Sequence, residues 1–127
     1  MVDTLGLVWV LLVLPAHLSD RAGAEALWPG LQRCCPRLVK IWADSAYQGL
    51  VDWASALAGW VLEIVRRPES QVGFQVQPHR WIVERTFAWW GDYHRLNVDY
   101  EHLPESSENL IYRAMIHLMV RRLAPGP

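Results

Sequence analysis

The run Leu38-Val39-Lys40-Ile41-Trp42-Ala43-Asp44-Ser45-Ala46-Tyr47 constrains this chain more than any other. An apolar stretch closes on a carboxylate, then small residues, then an aromatic. It is expected to form a buried strand that delivers Asp44 at its C-terminal end. In open α/β sheets, ligands sit in the crevice outside the carboxyl ends of strands. Asp44 is therefore a candidate ligand for a metal or a phosphate. The simpler alternative is that Asp44 caps a helix beginning near Tyr47, because short acceptor side chains suit that position.

A second stretch runs from His79 through Arg80-Trp81-Ile82-Val83-Glu84-Arg85-Thr86-Phe87-Ala88-Trp89-Trp90 to Gly91. Ile82, Val83, Thr86, Phe87 and Trp90 recur at three- and four-residue spacing, which predicts a helix with an apolar stripe. Arg80 and Glu84 lie four apart and share one face. As a surface ion pair alone, they would contribute about 0.3–0.5 kcal/mol.

Together, "IWADSAYQG" and "RWIVERTFAWW" resemble the C-terminal part of the catalytic domain of bacterial insertion-sequence transposases, which are DDE recombinases with a ribonuclease-H-like fold. The resemblance extends from "VDTLGLVWVLLVLPAHLSDRAGA" to "LIYRAMIHLMVRRL", almost the whole chain. It implies that Asp44 is the second acidic residue of the triad, that Glu84 is the third, and that the first Asp lies upstream of Met1. The implied fold is an incomplete ribonuclease-H-like α/β domain over residues 1–127, a mixed sheet lacking its first, central strand, with helices packed on it. Within it, 1–15 is a strand-hairpin remnant, 36–95 carries Asp44 and Glu84, and 104–123 is a C-terminal helix.

The implied activity is DNA transposition by metal-assisted phosphoryl transfer. In-line displacement at phosphorus needs the attacking and leaving oxygens neutralised together, which two divalent ions do. Hard carboxylate oxygens suit such ions, so Asp44 and Glu84 are the candidate ligands for Mg2+ or Mn2+. Arg80 could hold a phosphate or orient Glu84. Arg66, Arg67, Arg85 and Arg95 join it as candidate contacts to transposon ends and target DNA. The family commonly carries basic residues where Asp92 and His94 stand here, and that departure weakens the expected hold on DNA. Without the first Asp, the fragment is expected to be inactive alone. The alternative is a non-catalytic fragment that associates with or regulates a full-length transposase, or forms a homo-oligomer.

The length suits one modest domain. With 52% hydrophobic and 20% charged residues the chain is globular rather than disordered. A net charge of −1 argues against a free-standing nucleic-acid binder, which would carry a basic footprint. Asp99, Glu101, Glu105 and Glu108 form an acidic linker, followed by a tail with Arg113, Arg121 and Arg122. Adjacent Cys34 and Cys35 do not readily bridge, and no Cys/His spacing suggests zinc. Reduced thiols and a cytoplasmic location follow. The histidines are scattered and read as surface or satisfied residues.

Leu5 to Leu14 is too short to span a bilayer and has the wrong flank for a signal peptide. It reads as a strand buried on both faces, with Thr4-Leu5-Gly6 turning the chain back from Met1-Val2-Asp3. A membrane anchor is the other reading. Ser19 or Asp20 should cap a helix ending near Cys34. A second helix is expected over Tyr47–Trp60, with Leu50, Val51, Ala54, Leu57 and Ala58 inward and Gly59 near its end. Residues 61–65 read as a strand and 68–79 as a loop. A last helix is expected from Ser106 or Ser107 to Leu123, burying Leu110, Ile111, Ala114, Met115, Leu118, Met119 and Leu123.

Overall fold

The computed structural model describes residues 1–66, 79–98 and 101–124. The chain divides into two compact units, Leu14–His79 and Met1–Val13 with Arg80–Pro127.

In the first unit, the Ser19 hydroxyl accepts the Ala22 N–H at 3.3 Å and opens helix α1 (Asp20–Cys34). Its buried residues, Ala24, Trp28 and Leu31, follow the i, i+4, i+7 spacing of one helix face. Pro29 sits within α1 and withholds the hydrogen bond that would reach back four residues, but the helix continues to Cys34. Strand β1 (Lys40–Ala43) follows. A 3-10 helix (Ser45–Leu50) leads directly into α2 (Val51–Ala58), which ends on Gly59 at φ 69°, with the Gly59 N–H on the Ser55 carbonyl at 2.8 Å. Strand β2 (Val61–Ile64) then pairs parallel with β1, Lys40 opposite Val61 and Ala43 opposite Ile64.

Two expectations need correction here. The single helix over Tyr47–Trp60 is a 3-10 helix joined to an α-helix, and Val51 lies exposed rather than on the inner stripe. The strand before Asp44, expected to be buried, is only partly so. Ile41 and Leu62, opposite each other, are buried, but Val39 is 67% and Val61 55% exposed. The reason is that α2 and the 3-10 helix pack on β2, while among the described residues the sheet has only two strands. The sheet is therefore a parallel α/β pair, and the described antiparallel pairing is one isolated bridge, Val2 to Val8.

That bridge belongs to the second unit. Asp3 N–H donates to the Leu7 carbonyl at 2.9 Å and Gly6 N–H to the Asp3 carbonyl at 3.0 Å, closing the expected turn. The Asp3 carboxylate also takes the N–H groups of Leu5 and Leu7 at 2.8 and 2.9 Å. The continuation to Leu14 is not a buried strand: Val8 alone has a bridge partner, and none of residues 7–14 is fully buried. No described helix is long and apolar enough to cross a membrane.

Helix α3 (Arg80–Gly91) buries Ile82 and Thr86, while Val83 and Phe87, expected on the same stripe, are exposed. Thr86 is the one polar residue among the described residues' buried set. Its hydroxyl sits 2.7 Å from the Gly6 carbonyl and 3.1 Å from the Ile82 carbonyl, tying α3 to the N-terminal turn. Thr86→Val keeps the shape and removes the donor. It is expected to cost about 1–3 kcal/mol of stability, because the Gly6 carbonyl loses its bond in a buried setting. A urea midpoint shift at unchanged slope would register this.

Helix α4 (Pro104–Leu123) begins two residues before the expected serines, with Pro104 in its first turn, where a missing N–H costs nothing. Ala114 and Met115 are buried; Leu110, Ile111, Leu118 and Met119 are half-buried. Leu123 is 84% exposed, contrary to the expected buried face, because the stripe outruns what packs against it.

Candidate active site

Asp44 stands one residue beyond β1, at the carboxyl end of a parallel strand, as the sequence leads one to expect. Its side chain is exposed. One carboxylate oxygen accepts the Ala46 N–H at 2.9 Å, and its carbonyl takes the Tyr47 N–H at 3.2 Å. Asp44 is thus an N-cap, though of the 3-10 helix Ser45–Leu50 rather than of a helix starting at Tyr47. The cap uses one oxygen and leaves the second without an internal bond among the described residues. The Tyr47 hydroxyl has its pKa raised, first by burial and then by the charges of Asp20 and Asp44.

On the same face of the sheet, Trp42 and Glu63 are opposite each other in the register. Lys40 forms an ion pair with Glu63 and lies 5.2 Å over the Trp42 ring, while His79 stacks on that ring at 4.3 Å. The hydrogen bond from Lys40 holds the Glu63 carboxyl below its ordinary range. His79 has φ +67°, a left-handed backbone that non-glycine residues rarely adopt. Sequence reading missed this cluster. Its only local signal is the two-residue alternation of Lys40 and Trp42, and the partner Glu63 comes from a strand whose register the sequence does not announce.

Glu84 lies on α3, exposed, with Arg80 Nε donating to its Oε1 at 3.0 Å. This is the expected i, i+4 pair, and it leaves the second oxygen of Glu84 clear of Arg80. The remaining arginines differ in setting. Arg66 is exposed just past β2. Arg67 lies outside the described residues. Arg95 pairs with Glu101 at 2.6 Å. Arg85 donates to the Leu5 carbonyl at 2.8 Å and lies over Trp81 and Trp89 at 4.5 and 5.0 Å. Its Nε is buried without a hydrogen-bond partner. Arg122 lies over Trp89 at 4.3 Å. Arg85 thus works as an internal clamp on the turn at Leu5, which its place in the helical pattern did not suggest.

Carboxylate oxygens are the right donors for a hard divalent cation. Among the described residues, however, no group of three or more His, Cys, Asp or Glu side chains is placed to hold one. The donors are right in kind and incomplete in number. Cys34 and Cys35 are free thiols, and burial together with the neighbouring Cys34 pushes the Cys35 thiol up.

No curated protein and no solved structure shows detectable similarity to the chain. The family model of the transposase DDE domain, by contrast, matches residues 1–119. That span takes in the strand leading to Asp44, the helix carrying Arg80 and Glu84, and most of α4; the chain belongs to the transposase DDE domain family.

Proposed function

We propose that this chain contributes Asp44 and Glu84 to DNA cleavage and joining during transposition, and that it does not act alone. The observation that carries the reading is the position of Asp44 at the carboxyl end of β1, where α/β sheets hold their ligands, in a chain matched by the transposase DDE domain. The rest of the reading is a ribonuclease-H-like sheet, completed by a strand and an aspartate from outside the 127 residues.

The chain's own contribution is a pair of carboxylates, each with one oxygen engaged by Ala46 or Arg80. Mg2+ or Mn2+, when bound, would neutralise the attacking and leaving oxygens. Arg80 holds Glu84 in one orientation and keeps further guanidinium donors for a phosphate. Arg66 and Arg67 are proposed to contact the DNA backbone. Arg85 and Arg95 each spend one nitrogen, on the Leu5 carbonyl and on Glu101, and the exposed Arg95 keeps further donors for the same backbone. The unbridged thiols fit a reducing compartment, and the cytoplasm is the proposed location.

A second reading is favoured by the exposed apolar residues Ile116, Val120 and Leu123, which recur along one face of α4. It makes the chain a non-catalytic partner of a full-length transposase or of a second copy. Contiguous exposed apolar surface is one mark of an association site.

One experiment separates these readings. The polypeptide encoded upstream of the Met1 codon, in any frame, is co-expressed with the chain and the mixture assayed for DNA nicking with Mg2+ or Mn2+. Nicking by the pair, absent from the chain alone and lost in Asp44→Asn or Glu84→Gln, supports the proposal. Nicking by the chain alone that depends on both acids overturns its dependence on a partner. Nicking by the pair that survives both substitutions overturns the assignment of the acids.

A further inference from the structure

Helix α1 ends between two cysteines. Cys34 is its last residue and Cys35 its cap, with φ −127° and ψ 65°. The cause is the next residue, Pro36, whose ring disfavours the helical region for the residue before it. Cys35 is also pinned on both sides. Its N–H donates to the Leu31 carbonyl at 2.8 Å, and its carbonyl accepts the Leu38 N–H at 3.0 Å. Cys34 is exposed, Cys35 is half-buried, and both are free thiols.

That backbone decides where the two side chains start. Across a planar trans peptide, the angle between neighbouring Cβ atoms, viewed along the line joining their Cα atoms, depends on ψ of the first residue and φ of the second. In a continuing helix it is about 75°, and in a strand the two atoms take opposite sides. A helical ψ of about −42° at Cys34 with φ −127° at Cys35 brings it to about 10°, so the two Cβ atoms nearly eclipse. A direct disulfide is still not favoured. Neighbouring Cα atoms lie about 3.8 Å apart, against roughly 4.4–6.8 Å in ordinary disulfides. One bridging atom enlarges the ring and lets the sulfurs stay apart.

The surroundings set what that atom must be. Among the described residues, no third Cys, His, Asp or Glu joins the pair in a metal-holding group. Zinc, which takes four ligands in structural sites, is left short of donors. The ligand must accept two sulfurs and carry its remaining substituent with it. Burial first, and Cys34 second, push the Cys35 thiol up, so it keeps its proton at neutral pH. A ligand that brings its own proton acceptor is therefore favoured. We propose that Cys34 and Cys35 form a chelating site for a trivalent arsenical of the type R–As=O, bound through both sulfurs at once. Two As–S bonds form, the As–O bond breaks, and the two thiol protons leave with the oxygen as water; arsenic stays trivalent. The site rests on the end of α1 and is independent of the roles of Asp44 and Glu84.

The probe is phenylarsine oxide, titrated into the reduced, intact chain. One arsenic per chain is expected, with loss of both titratable thiols and an adduct mass equal to the reagent less one water. A dithiol such as dimercaptopropanol should release it, and glutathione should not. Cys34→Ser, at an exposed helix end, should weaken binding about a hundredfold or more, because the second As–S bond then has no intramolecular partner. Zn2+ should not compete. Denaturing urea keeps the thiols adjacent but frees the backbone, and should weaken binding several-fold. Two arsenic atoms per chain, release by glutathione, or equal affinity in Cys34→Ser overturns the site. Competition by Zn2+ overturns its two-donor character, and equal affinity in urea overturns the part played by the pinned backbone.

Discussion

Trp28→Ala is expected to lower the stability of the Leu14–His79 unit by about 3–5 kcal/mol, the range for truncating a buried tryptophan. Trp28 is 5% exposed on the inner face of α1. Its ring stacks on Trp53 at 5.5 Å and meets Trp60 edge-on at 6.1 Å. One side chain therefore joins α1, α2 and the entry to β2. Its removal loses the transfer free energy of the indole, opens a cavity in a small core, and breaks two aromatic contacts worth about 0.5–1.5 kcal/mol each. Urea unfolding followed by near-ultraviolet circular dichroism would measure the loss. Trp28→Phe retains much of the volume and should fall well short of the alanine value. A comparable loss for Trp9→Ala, at an exposed site, would show that the tryptophans matter by number rather than by place.

Gly6→Val is expected to cost about 2–6 kcal/mol, through two additive effects. Gly6 has φ +79°, a region in which a β-branched residue is an outlier, and such strain costs about 1–3 kcal/mol. A Cβ there would also stand 3.0 Å from Thr86 Oγ1 and 3.1 Å from Trp89 Cζ3. Neither neighbour retreats easily, since Thr86 is buried and bonded to this same turn and the Trp89 ring lies between Arg85 and Arg122. Overpacking adds about 1–3 kcal/mol. The substitution should loosen the Arg85–Leu5 and Thr86–Gly6 bonds together, so faster hydrogen exchange through the N-terminal turn is the accompanying sign. Unchanged protection there would show that the turn does not anchor α3.

The legible parts of this protein were those governed by neighbours in the chain. Ser19 opens α1, Gly59 closes the helix before β2, Asp44 follows its strand, and Arg80 meets Glu84 one helical turn away. Each depends on a few residues of local geometry. Burial was read less well. The same periodicity that correctly placed α3 and α4 also put Val83, Phe87 and Leu123 inward, where they are exposed. Periodicity identifies a face, but whether that face is covered depends on what else packs there. The run from Leu5 to Leu14 shows this most plainly. Its composition suits a doubly buried strand, yet its amides at Leu11 and Val13 end on Tyr112 and Glu108, residues distant in sequence.

The family, the place of Asp44 just past a strand end, and the pairing of Glu84 with Arg80 on a helix are all legible along the chain. These rest on residue identity and short spacing. Folding in three dimensions is what sets Arg85 on the Leu5 turn, pairs Lys40 with Glu63 beside Trp42, and brings Tyr112 and Glu108 of α4 to the Leu11 and Val13 amides. Hydrogen bonds and burial across elements depend on strand register and helix rotation, and both are set by the whole unit folding together rather than by any stretch of the chain.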